Sequence, residues 1–191
     1  MTIDPIKLTK DLIKCPSVTP KDAGCIALLE KHLLKANFSC TRIKRGAVSN
    51  LYARWGSKNC KKIFGFNGHI DVVPPGNPSK WQYDPFGAIQ HNNLIYGRGS
   101  VDMKSAISAF VSAAAEVTSN HSPEGAVVLM ISGDEEGPAT DGTLAILDWM
   151  KANNESVSHC LVGEPTCPDL FGDMIKIGRR GSITTKITVF G

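Results

Sequence analysis

Three short apolar runs, residues 62–67, 126–131 and 159–162, restrict the fold more than any other feature of the sequence. Each is bounded by polar or glycine-rich chain, and stretches of helical periodicity separate them from residue 93 onward. Continuously apolar runs of this length suit strands buried on both faces. Strands that alternate with helices give an α/β sandwich with a largely parallel central sheet. Two further strands are predicted ahead of them, at 38–44 and 50–55, and the strand at 62–67 is expected to be central. A chain of 191 residues with 42% hydrophobic and 20% charged residues has the composition of one ordinary folded domain with a substantial core.

Asp4-Pro5 and Thr19-Pro20 each place a capping side chain before a proline suited to the first helical position, so each predicts a helix start. The second helix would bury Ile26, Leu29, Leu33 and Ala36, with Asn37 as its C-terminal cap. Residues 72–86 contain Pro74, Pro75, Gly76, Pro78 and Pro85 and read as a long functional loop. Helices are predicted at 103–119 and 143–151. Ile183, Thr185, Ile187 and Val189 alternate with other positions in the manner of a half-buried strand, so a different sheet is expected to begin near Arg179. That strand would have nothing to pair with before Gly191, and a truncated chain is the expectation.

No apolar run approaches the roughly 20 residues of a membrane-spanning helix. Charges scattered through the first ten residues do not make a secretory signal, and a cytoplasmic location is expected. The six cysteines occur singly with no C-x-x-C pair, which excludes a zinc ribbon or a dithiol redox motif. A formal net charge of +3, unclustered, argues against nucleic acid as a partner.

Four acidic or imidazole clusters fall where strands end, the place at which open α/β sheets carry their ligand sites. They are Gly68-His69-Ile70-Asp71, Tyr96-Gly97-Arg98-Gly99 with Asp102-Met103-Lys104, Gly133-Asp134-Glu135-Glu136, and Val162-Gly163-Glu164-Pro165-Thr166. Taken singly, each has an ordinary explanation: a turn, a helix cap at Asp102, a solvated acidic loop, a surface turn. A dinucleotide loop fails at the second cluster, because Asp102 stands where the third glycine of G-x-G-x-x-G belongs and would repel a pyrophosphate. Together, one histidine and several carboxylates are a zinc-type donor set. Asp71 is placed to accept the spare ring N–H of a metal-bound His69. Glu135 and Glu136, adjacent on a chain leaving a strand, would point in different directions and divide metal binding from proton transfer. The remaining histidines, His32, His91 and His121, read as solvated, and His159 as structural.

On these four ordered motifs the chain resembles the co-catalytic zinc aminoacylase and carboxypeptidase family over essentially its whole length. The resemblance implies a three-layer α/β sandwich with a mixed, mostly parallel central sheet. Residues 1–178 would form the N-terminal part of the catalytic domain, and 179–191 the first strand of a lid and dimerisation domain. It also implies two zinc ions, one replaceable by cobalt. His69 and Glu164 would bind one, Glu136 would help bind the other, and Asp102 would bridge them. Asp71 would orient His69, and Glu135 would serve as general base and then acid in amide hydrolysis. Gly178-Arg179-Arg180-Gly181-Ser182 resembles the branch that removes succinyl groups from a diamino acid, with Arg179 as the carboxylate-binding candidate ahead of Arg180 and Ser182.

Members of this family are longer, supply a further histidine to the second zinc from a later segment, and work as homodimers on small molecules. The chain as given is therefore expected to be inactive and to hold at most one zinc tightly. The rival readings are a deacetylase or peptidase of the same family, and a non-catalytic zinc- or partner-binding module.

Overall fold

The computed structural model describes residues 2–121, 123–178, 181, 183 and 185–190. In chain order the elements are α1 (Pro5–Ile13), α2 (Cys25–Lys35), β1 (Ser39–Arg45), β2 (Val48–Trp55) and β3 (Ile63–His69). A hairpin of β4 (Ile89–His91) and β5 (Leu94–Tyr96) follows, then α3 (Ser105–Asn120), β6 (Ala126–Ser132), α4 (Thr143–Ala152) and β7 (His159–Val162).

Five strands form one mixed sheet in the order β1-β2-β6-β3-β7. β3 is parallel to both β6 and β7, whereas β2 is antiparallel to β1 and to β6. Four strands thus run the same way and β2 alone is reversed, the mostly parallel sheet that the sequence implied. β6 is the central strand, and β3 lies beside it, hydrogen-bonded on both sides.

Period-2 alternation sorts the core into two layers. Leu51, Ala53, Phe66, Leu129 and Ile131 pack beneath α1, α2 and α3. On the other face Tyr52, Ile63, Val128 and Met130 meet Ala145, Ile146 and Met150 of α4. The architecture is therefore a three-layer sandwich. A buried ion pair between Arg54 and Glu155, with the Tyr52 hydroxyl donating to Glu155 at 2.8 Å, ties the chain after α4 to β2. No helix among the described residues is long and apolar enough to cross a membrane.

Asp4 caps α1 as expected, accepting from the Ile6 and Lys7 amides at 2.8 and 3.1 Å. The second helix departs from expectation: α2 begins six residues beyond Thr19, after Gly24, and Thr19 is no cap. Its hydroxyl is instead taken by Asp71, a tertiary partner that local capping rules cannot see. At the other end Asn37 is left-handed (φ 62°), and the Asn37 and Phe38 amides donate to the Leu34 and Leu33 carbonyls, closing the helix just past Ala36. The hairpin β4–β5 was not foreseen; its turn residues Asn92 and Asn93 both have positive φ (48° and 62°), the geometry of a two-residue hairpin turn.

The alternating segment near the C-terminus also differs from expectation. Residues 183 and 185–190 adopt no strand, and Ile183, Ile187 and Val189 are exposed. An alternating pattern becomes a strand only against a partner sheet, and among the described residues none lies alongside. Arg179, Arg180 and Ser182 lie outside the described residues.

Candidate metal centre

The parallel trio β6-β3-β7 delivers three of the four clusters to one edge of the sheet. His69 is the last residue of β3, Glu135 and Glu136 follow β6, and Glu164 follows β7. Asp102 comes from the irregular turn Ser100–Lys104 ahead of α3, so it is not a helix cap. The Gly163 amide continues the β3–β7 ladder by donating to the Asn67 carbonyl at 3.1 Å. Gly68 and Gly163 are where this edge is tightest: a Cβ on either would come within 2.8 Å of the Met103 methyl. Glycine at both positions lets the strand ends close over Met103.

His69 sits at the centre with a side chain only 2% exposed. Its Nδ1 lies 2.9 Å from the Asp71 carbonyl oxygen. A carbonyl only accepts, so Nδ1 carries a proton, and Nε2 faces the carboxylates, where it can hold a second proton or, without it, offer a lone pair to a cation. Nε2 is 2.9 Å from Asp102 Oδ1, 3.7 Å from Glu164 Oε1 and 3.8 Å from Glu135 Oε2. Donor atoms of His69, Asp102 and Glu136 lie within 4.8 Å of one another, as do those of His69, Glu135 and Glu164.

Five candidate ligands from four separate segments are therefore brought together, and the two neighbouring glutamates do part into different groups. Asp102 and Glu135 are about half exposed, at 50% and 47%, so the cluster opens to solvent while its histidine is fixed from behind.

Asp71 does more than the sequence suggested. Its carboxylate is fully buried, yet the His69 ring N–H goes to its carbonyl, with carboxylate Oδ1 further away at 3.6 Å. The carboxylate accepts from the Thr19 hydroxyl at 2.7 Å and from the Glu135 and Glu136 amides at 3.1 Å. It thus anchors the backbone of the acidic loop. Burial alone would push Asp71 up, but His69, Thr19 and these two amides hold its carboxyl below the usual value. Burial likewise works against a charged His69. The adjacent Asp71, through both carboxylate and carbonyl, and Glu164 outweigh it and raise the imidazole to about 9. Glu136 is pushed up, chiefly by burial and then by the neighbouring Asp102 and Glu135 against the pull of His69.

His69 Nε2 facing the oxygens of several carboxylates is an arrangement that calls for positive charge. A proton on Nε2 or a cation satisfies it. The mix of one nitrogen and several carboxylate oxygens fits a divalent ion such as zinc.

Of the other histidines, His91, His121 and His159 are exposed. His32, expected to be solvated, is half-buried, and its Nδ1 is sequestered without a hydrogen-bond partner among the described residues. The six cysteines are free. Thr19 was the site residue missed, because its T-P context reads locally as a helix start. The Gly97–Gly99 loop was recognised as part of a motif, but no role was read for Arg98.

The family model for peptidase family M20/M25/M40 matches residues 65–189. Succinyl-diaminopimelate desuccinylase of Dinoroseobacter shibae is 58% identical over 181 residues, covering 95% of this chain and 48% of that protein. Succinyl-diaminopimelate desuccinylase 1 of a Ruegeria species is 57% identical over 190 residues, covering 100% of this chain and 50% of its own. The chain thus spans about half the length of these curated relatives. Among solved structures, an M20 family metallo-carboxypeptidase from Sulfolobus solfataricus superposes with a TM-score of 0.74 at 21% identity, over 85% of this chain and 37% of that one. Human carnosine dipeptidase 1 gives 0.71 at 18% identity, over 85% and 38%. These two likenesses show the fold, and the family match covers all five residues of the ligand cluster: the chain belongs to peptidase family M20/M25/M40.

Proposed function

We propose that the protein of which this chain is part is a zinc-dependent amidohydrolase that cleaves N-succinyl-LL-2,6-diaminopimelate to succinate and LL-2,6-diaminopimelate. The observation that carries this reading is the convergence of His69, Asp102, Glu135, Glu136 and Glu164 at one sheet edge, in a chain more than half identical to proteins named for that reaction. His69 and Glu164 would hold one zinc and Glu136 would contribute to a second, with Asp102 shared between them; cobalt would serve in place of one. Zinc, when bound, supplies Lewis acidity that polarises the amide carbonyl and lowers the pKa of water from about 15.7 toward about 7.

The chain's own residues do the rest. Glu135, half exposed and 3.8 Å from His69 Nε2, takes the proton of the attacking water as the C–O bond forms. It then returns that proton to the amine nitrogen as the C–N bond breaks. Asp71 holds the backbone of Glu135 and Glu136, and its carbonyl keeps His69 in the Nδ1–H tautomer. Arg179, with Arg180 and Ser182 as weaker candidates, would bind a substrate carboxylate. Residues 179–191 would open the lid and dimerisation domain of a cytoplasmic homodimer.

The test is turnover of succinyl-diaminopimelate against acetylornithine by the full-length protein, with its zinc content measured. Release of succinate with zinc bound is the expected result. Preference for acetylornithine would move the protein to the deacetylases of the same family, and zinc binding without turnover of either would point to a non-catalytic module.

A further inference from the structure

We propose that Arg98 is an anion-binding residue beside the carboxylate cluster, placed to receive a carboxylate group of the substrate. Four arginines lie among the described residues, and three have acidic partners: Arg42 with Glu30, Arg45 with Asp148 and Arg54 with Glu155. Arg98 has none within ion-pair distance among the described residues, although it is half-buried and its Nε is sequestered without an acceptor. A guanidinium is never neutral in a protein, and a buried donor left unpaired is costly. Three arginines paired with acids of the chain, one of them buried, and one unpaired arginine in a cleft point to a partner that arrives from outside the chain.

The surroundings hold this cation in place. The Arg98 amide donates to the Pro85 carbonyl at 2.7 Å, and Gly99 takes a left-handed φ of 79° that turns the chain toward Asp102. The guanidinium carbon lies 5.3 Å from the centre of the Trp81 ring, and the Trp81 indole N–H is itself fixed on the Pro75 carbonyl at 2.9 Å. Stacking on an aromatic face leaves the in-plane N–H edge of a guanidinium free for bidentate contact with a carboxylate.

Arg98 shares a cleft of about 340 Å³ with Val73, Asp102 and Glu136. A second cleft, of about 470 Å³, also borders Glu136. Arg98 is the one cation lining either of them among the described residues. A substrate with several carboxylates entering a cluster of carboxylates needs a cation that the cluster does not already engage. Arg98 meets that requirement. The inference rests on the hydrolase reading for the identity of the ligand, but not for the existence of the anion site.

The test uses succinate and acetate as probes, titrated calorimetrically into the chain with and without zinc, with Trp81 emission as a second readout. If one carboxylate reaches the metal and the other reaches Arg98, the wild-type chain prefers succinate to acetate. Arg98→Ala and Arg98→Gln should then lose that preference by about ten- to hundredfold in succinate affinity, with zinc content and acetate binding unchanged. Arg98→Lys should keep part of it, having the charge without the planar fork. Succinate should also shift tryptophan emission in the wild type and not in Trp81→Phe. An undiminished succinate preference in both Arg98→Ala and Arg98→Gln overturns the proposal and leaves the metal site intact. Arg98-dependent succinate binding in a chain without zinc upholds the proposal, and the hydrolase reading stands or falls separately on turnover by the full-length protein.

Discussion

Asp71→Asn isolates what holds the candidate site together, because it keeps the shape of the side chain and removes only its charge and one acceptor. The wild-type carboxylate is fully buried and serves three donors, the Thr19 hydroxyl and the amides of Glu135 and Glu136. In the variant an amide NH₂ must occupy one oxygen position. If it replaces Oδ1 it meets the Glu135 N–H and the His69 ring N–H, donor against donor. Hydrogen bonds to a charged acceptor contribute about 1.5–3 kcal/mol and neutral ones about 0.5–1.5. Roughly 1 kcal/mol per donor, about 3 kcal/mol in all, should be lost from the metal-free protein.

For a chain of this size each kcal/mol moves Tm by about 2–4 °C, so calorimetry should find a drop of about 6–12 °C. Zinc affinity, measured by competition with a chelator, should fall about 10- to 100-fold as the loop bearing two ligands loosens. The pH dependence has a definite sign. A carboxyl held below its unfolded value of 3.8 stabilises the fold above that pH and loses its contribution as pH falls through the folded value. Asp71→Asn should therefore show less acid destabilisation than the wild type. A variant with wild-type Tm and zinc affinity would refute the reasoning, since three buried donors would then be indifferent to the charge they face.

Asp102→Ala should lose zinc, whereas Glu135→Gln should retain it and lose about 10²–10⁴ of turnover in the full-length protein. Because Glu135 lies close to His69 and Glu164, zinc loss in Glu135→Gln would make it a ligand and reverse the proposed division between the two glutamates. Glu155→Ala leaves the Arg54 charge buried, both side chains being 7% exposed in the pair, and should cost about 3–5 kcal/mol in urea unfolding. A cost below about 1 kcal/mol would mean that water takes the place of the carboxylate against Arg54. Cys15 is lowered to about 7 by its hydrogen bond with Cys25, burial opposing and Lys104 assisting, while burial raises Cys40 to about 11. Alkylation by iodoacetamide, followed by peptide mass mapping, should reach half its maximal rate near pH 7 at Cys15 and stay slow at Cys40. Equal rates at pH 7 would contradict that difference.

The sheet was legible wherever apolar runs were continuous, because burial on both faces leaves a one-dimensional trace at 62–67 and 126–131. The hairpin at Ile89–Tyr96 left none: β4 is exposed and β5 no more than half-buried, and its signal lay in the turn pair Asn92-Asn93 and not in hydrophobicity. The candidate ligands were legible because strand ends concentrate them, and their positions follow from the parallel pairing of β3, β6 and β7. What supports them was not. Thr19 and Asp71 are 52 residues apart, and Asp71 reaches Glu135 and Glu136 across 64 and 65. Such contacts have no local signature. H-x-D was read as a carboxylate behind an imidazole, whereas the folded chain gives the imidazole a carbonyl and turns the carboxylate toward the next strand's loop.

That substitution bears on how such a site survives without its ion. Asp102, Glu135, Glu136 and Glu164 carry like charges around one imidazole, and mutual repulsion works to spread them. Their side chains cannot organise the cluster, so the backbone does. The Glu135 and Glu136 amides are fixed on Asp71, the Ile70 amide donates to the Ser132 carbonyl at 2.9 Å, and the Gly133 amide donates to the Asn50 side chain at 2.9 Å. Each of these contacts joins the end of one strand to a neighbour, so the Cα positions of His69, Glu135 and Glu136 are set by the sheet. A cation then relieves the repulsion of groups already in place and has little chain to order, which preserves most of its binding free energy for affinity. The negative charge of Asp71 enters this balance with a cost, since it adds one more anion to a crowded edge. Its full burial behind His69 and its three donors offset that cost. It shapes the site without competing for the ion.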